Sequence, residues 1–128
     1  MKLKLLITLI FLFGGSLFAQ VEIECYKFEI CSAPSFNIDE LKCETEETSA
    51  FITIYSDTEM ITIESMGETK VLKYFAEMYN EEENTTLYAW EDQDDTEITG
   101  SLLIDHNAST ITVSPTFPDR LFIATFYF

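Results

Sequence analysis

Apolar and polar residues alternate almost without interruption from residue 50 to residue 114, the period of half-buried β-strands. Turn-like breaks divide this run. A one-residue slip would exchange the two faces of a strand, so each turn can be tested by whether it keeps one face apolar. A turn at Asp57-Thr58 sets Ile54 opposite Ile61 and Ile52 opposite Ile63. A turn at Gly67-Glu68, with glycine first as a type II′ turn requires, sets Ile63 opposite Leu72 and Ile61 opposite Tyr74. A loop at Glu81-Glu82-Glu83 sets Tyr74 opposite Trp90 and Ala76 opposite Tyr88. The loop Gln93-Asp94-Asp95 sets Trp90 opposite Ile98 and Tyr88 opposite Gly100, an aromatic ring covering a strand glycine. A turn at Asn107-Ala108 sets Ile104 opposite Ile111 and Leu102 opposite Val113. Five successive turns agree on one apolar face.

The opposite face carries threonines, serine and acids, with Lys73 falling opposite Glu91, as on the wet side of an antiparallel sheet. One stripe departs from that pattern. In the predicted register Tyr55, Met60, Phe75 and Ala89 stand side by side, with Leu87 and Tyr79 diagonal to them.

Outside this run, Val21, Ile23 and Cys25 alternate, and Tyr26, Phe28 and Ile30 then alternate in the opposite phase, which predicts a first strand with a bulge near Cys25. Residues 36–43 fit a short strand or a helical turn capped by Asn37, and residues 44–49 an exposed acidic loop. Pro115 and Pro118 are expected to interrupt any strand across residues 114–119. Residues 121–128 form a closing strand with two apolar faces, which wants cover on both sides and is placed centrally or against the first strand. The resulting fold class is all-β: an antiparallel meander forming a small up-and-down barrel or a strongly bent sheet. A two-layer β-sandwich, with the N-terminal segment over the meander, is the alternative.

Residues 1–19 stand apart. Lys2 and Lys4, an apolar core and a small-residue break before Ala19 match a signal peptide cleaved ahead of Gln20, so residues 20–128 are expected to be one secreted or periplasmic domain with no membrane association of its own. Without Lys2 and Lys4, five basic side chains remain against twenty-three acidic ones. Such a surface repels nucleic acid and anionic lipid and favours basic partners. Of Cys25, Cys31 and Cys43, two can form one bridge in an oxidising compartment; both Cys31–Cys43 and Cys25–Cys31 are open on spacing alone.

Candidate chemistry is sparse. His106 is the only histidine and sits in a turn, and neither a nucleophile elbow nor a phosphate-binding glycine loop is present, so the chain is read as a non-enzyme. Asp92, Asp94, Asp95 and Glu97 crowd one loop that offers oxygen ligands to a cation such as calcium, with a solvated turn as the default and no cofactor expected. Tyr74, Tyr88 and Trp90 are expected to fill the core, the alternative being a cavity between them. The sequons at Asn84 and Asn107 fall in predicted loops. The leading functional reading is recognition of a protein partner through the outer stripe of Tyr55, Met60, Phe75, Tyr79 and Leu87, since an exposed apolar patch marks an interaction surface. Burial of the stripe beneath residues 21–36 is the opposing expectation. The alternatives are an acidic inhibitor or immunity-type protein against a basic toxin or enzyme, and a carrier of a small apolar ligand.

Overall fold

The computed structural model describes residues 20–128, so the segment read as a signal peptide lies outside the described residues. The described chain forms ten strands: β1 (Gln20–Cys25), β2 (Lys27–Ala33), β3 (Lys42–Glu46), β4 (Ala50–Tyr55), β5 (Met60–Ser65), β6 (Glu68–Asn80), β7 (Thr85–Asp92), β8 (Thr99–Asp105), β9 (Thr110–Thr116) and β10 (Leu121–Tyr127). They make one antiparallel sheet in the order β1-β4-β5-β6-β7-β8-β9-β10-β2-β3. From β4 to β10 each strand lies beside its sequence neighbour, as short connections dictate. Only Tyr26 separates β1 from β2, yet β1 is bonded to β4 and β2 to β10. One stretch of chain therefore holds both ends of the meander, and the sheet curls around a single core. The closing strand β10 does pair with the second half of the predicted first strand, now β2, and among the described residues no second layer covers the sheet.

At Tyr26 the strand changes phase. Its N–H donates to the Tyr127 carbonyl at 2.9 Å and its ring turns outward, so that both Cys25 and Phe28 reach the core. The alternation of residues 21–30 predicts a single strand bulged near Cys25; the phase change is there, but as a joint between two strands with different partners, so no bulge is needed.

The pairings of Ile54 with Ile61, Ile52 with Ile63, Leu102 with Val113 and Ile104 with Ile111 are those expected. Two connections differ from expectation by two residues, which preserves the faces. The β5–β6 turn is centred on Met66 (φ 51°) and Gly67 (φ 80°), both in the left-handed region as a type I′ turn requires. Ile61 therefore meets Leu72, and Ile63 meets Lys70. The β7–β8 loop is longer than expected, so Gly100 faces Trp90 instead of Tyr88, and Tyr88 faces Leu102. The indole takes the space of the missing side chain: a Cβ on Gly100 would lie 2.5 Å from Trp90 Cζ2 and 2.5 Å from the Ser114 carbonyl oxygen.

Three further differences concern irregular segments. Between Tyr74 and Ala76 the β6–β7 register shifts at a bulge, placing Glu77 and not Ala76 opposite Tyr88. β9 runs through Pro115, because its pairing with β10 stops at Val113 and leaves the rest of the strand bonded on one side only, where proline is tolerated. Lys42–Glu46, expected in part as a loop, is β3 along β2, after a single 3-10 turn at Ile38–Glu40 capped by the Asn37 side chain. β3 buries none of its residues; beyond backbone pairing, it is tied by the Cys31–Cys43 disulfide between directly opposed residues. Cys25 is the free cysteine and is buried in the core. Burial, then the neighbouring Glu24, pushes its thiol up to about 11.

Candidate functional site

The interior of the curl is filled at one end and hollow at the other. Around the β4–β5, β6–β7 and β8–β9 connections, Ile54, Tyr74, Tyr88, Ile104 and Ile111 close the core, with the Tyr74 and Tyr88 rings edge-on at 4.8 Å. The Tyr88 hydroxyl donates to Glu77 at 3.3 Å, and burial together with that carboxylate raises its pKa. At the opposite end, where the β5–β6, β7–β8 and β9–β10 connections gather, a cavity of about 420 Å³ opens. Its walls are mainly apolar: Phe28, Ile63, Leu72, Trp90, Val113 and Phe122 contribute from six strands. Size and lining fall within the range of small-molecule sites. Of the three aromatic residues expected in the core, Tyr74 and Tyr88 are packing alone, whereas Trp90 is both packing and cavity wall.

The polar residues of the lining are Ser65, Lys70, Asp92 and Arg120. Lys70 and Asp92 form an ion pair at 2.7 Å, with the carboxylate almost fully enclosed and the lysine half exposed. Burial works to raise the Asp92 pKa, but the hydrogen bond from Lys70 and those from the backbone N–H groups of Asp94 and Asp95 outweigh it and hold the pKa below the ordinary carboxylate value. Arg120 stands at the mouth with its guanidinium 4.1 Å from the centre of the Phe117 ring; among the described residues it has no carboxylate partner. The Trp90 indole N–H is buried without an acceptor, an uncommon condition for a polar group in a core.

The outer face is organised differently from its predicted register. Tyr55 and Met60 are direct partners and half-buried, but the two-residue shift of β6 sets Met60 against Lys73 and away from Phe75. Phe75 occupies the bulge and is 63% exposed. Beyond it, Met78, Leu87 and Leu103 form a row across three strands, with Met78 and Leu87 exposed. The phase change at the bulge turns Tyr79 to the other face, where its hydroxyl donates to Asn84. The predicted stripe thus divides into a Tyr55–Met60 pair and a separate patch of Phe75, Met78 and Leu87. Residues 21–36 do not cover that patch.

The acidic loop has a structural task. Asp92 Oδ1 accepts from the backbone N–H groups of Asp94 and Asp95, and Asp95 Oδ1 accepts from that of Glu97. With Lys70 on its other oxygen, Asp92 is committed to the turn and the ion pair. Among the described residues the metal-ligating types that converge are Glu29, Cys31 and Cys43, of which the two cysteines are bridged. His106 lies at the filled end, in a 3.1 Å hydrogen bond with Thr86, and the sequon residues Asn84 and Asn107 are bonded to each other nearby at 3.1 Å.

Lys70, Phe117, Arg120 and Phe122 were not singled out from the sequence. A signal for part of the set was there: Lys70 shares the inward phase of Leu72 and Tyr74, and Asp92 that of Tyr88 and Trp90. Opposite charges at inward positions of adjacent strands are a mark of a polar feature inside the curl. No family model, curated protein or solved structure matches the chain, so the site's own chemistry carries the functional argument.

Proposed function

We propose that the chain is a non-enzymatic binding protein, working outside the cytoplasm, that takes a small, largely apolar molecule into the open end of its curled sheet. The observation that carries this reading is the cavity of about 420 Å³, walled by apolar side chains of six strands. The disulfide and the signal-like leader support the compartment. Support for a binding role over catalysis comes from the lining itself, which pairs its one carboxylate with Lys70 and holds no nucleophile beside a base.

Uptake of Nile red, a neutral dye that brightens in apolar surroundings, tests the reading. The expected result is saturable one-to-one binding that quenches or shifts the emission of Trp90, the sole tryptophan. Ala124→Phe, which fills the cavity from β10, should abolish uptake while the thermal transition persists. Absence of saturable uptake by the unaltered protein overturns it.

A second reading keeps the outer face as a docking surface for a basic polypeptide. It is favoured by the exposure of Phe75, Met78 and Leu87 on adjacent strands of a strongly acidic chain, which would steer a basic partner towards it. Phe75→Asp should then abolish association with that partner and leave Nile red uptake intact. Association unchanged by this substitution argues against the patch.

A further inference from the structure

We infer that the molecule held in the cavity is an amphipathic carboxylate, its apolar body enclosed by the curl and its anionic end at Arg120; this rests on the cavity being a ligand site. The distribution of charge points to an anion. Twenty-three acidic residues face only seven basic ones in the whole chain, and two of the basic ones, Lys70 and Arg120, line this one cavity. The single carboxylate among the lining residues, Asp92, is already paired with Lys70. Among the described residues Arg120 has no such partner, and its contact with Phe117 places a planar double donor at the mouth. A guanidinium so placed presents two N–H groups in the geometry that suits a carboxylate.

Depth and polarity reinforce the assignment. Phe28, Trp90, Phe122, Phe126 and Val113 offer no hydrogen-bonding group to a ligand, the Trp90 N–H being fully buried, so the enclosed part must be apolar, and the charged part must lie where Arg120 and the exposed Lys70 reach solvent. A ligand of opposite charge would meet Arg120 and find Asp92 enclosed, with Asp92 and Asp94 both already held by Lys70. A neutral ligand would gain the apolar wall alone.

Three probes of equal chain length separate these cases: decanoate, decanol and decylamine, each titrated against the disulfide-bonded protein while Trp90 emission is recorded. The expected order is decanoate tighter than decanol by about tenfold, with decylamine weakest. Arg120→Gln should lower decanoate affinity to that of decanol and leave decanol unchanged, which also shows that the variant is folded. Raising salt from 50 to 500 mM should narrow the decanoate advantage, because the mouth is open to solvent. Decanol and decanoate binding equally in the unaltered protein, or a decanoate preference that survives Arg120→Gln, overturns the carboxylate assignment and leaves the cavity as an apolar site. Failure of all three probes to bind overturns the cavity reading itself.

Discussion

Asp92 is the residue on which the open end of the molecule turns. Its carboxylate is enclosed, receives Lys70 from the neighbouring strand and caps the turn that follows. Because the folded pKa is held below the unfolded value of about 3.9, the stability this carboxylate contributes is fully present above that value. It is lost as pH falls through the folded pKa. Asp92→Asn keeps an acceptor for the Asp94 N–H but removes the charge. It should cost about 1–2 kcal/mol at neutral pH, with the gap to the unaltered protein closing as pH falls below about 4. Urea midpoints measured across that range check this, and a gap that stays constant shows that the Lys70 pair contributes nothing. At this scale the sequence was partly legible: Lys70 and Asp92 occupy inward phases and so announce a buried polar feature. Arg120 carries no such mark, since a proline-flanked loop has no period from which to read a direction.

Among the elements, what was legible was the phase of each strand and what was not was its register. Side chains repeat every two residues, so a hairpin displaced by two keeps every face and leaves no trace in the alternation. The β5–β6 turn at Met66-Gly67 and the longer β7–β8 loop both differ from expectation in this way, and the second transfers Gly100 from Tyr88 to Trp90. The β6 bulge was hidden for another reason: apolar and polar residues fall on both faces from Phe75 to Tyr79, so alternation cannot show where the phase changes. The cavity was equally hidden, because residues lining a hollow have the same types as residues filling a core. The bulge does have an energetic signature. Phe75 is extruded to solvent, so Phe75→Asp should change stability by no more than about 0.5 kcal/mol, whereas a position packed beneath another layer would lose several. Thermal unfolding of the variant decides between these, and a loss above about 2 kcal/mol would mean that the ring is packed.

For the whole molecule, the sheet order makes some strands expendable and others indispensable. β1 lies at one end of the order and buries little besides Cys25. β10 lies between β9 and β2 and places Ala124 and Phe126 in the core. Removing residues 20–24 should leave a cooperative, less stable protein. Removing residues 121–128 should abolish cooperative unfolding and produce a compact state that binds anilinonaphthalene dyes. Denaturant titrations of the two truncations check the contrast, and a cooperative transition in the second would show that the meander from β4 to β9 folds by itself.

The single-residue joint at Tyr26 also sets a timetable. The first half of the opening strand finds its partner, β4, early in chain growth, but the second half waits for β10, the last of the ten strands to be made. Throughout synthesis Phe28 and Ile30 have no neighbour on that side. Such a chain cannot mature strand by strand behind the ribosome; its earliest and latest pieces reach their final state in the same event, and until then one seam of the sheet stands open.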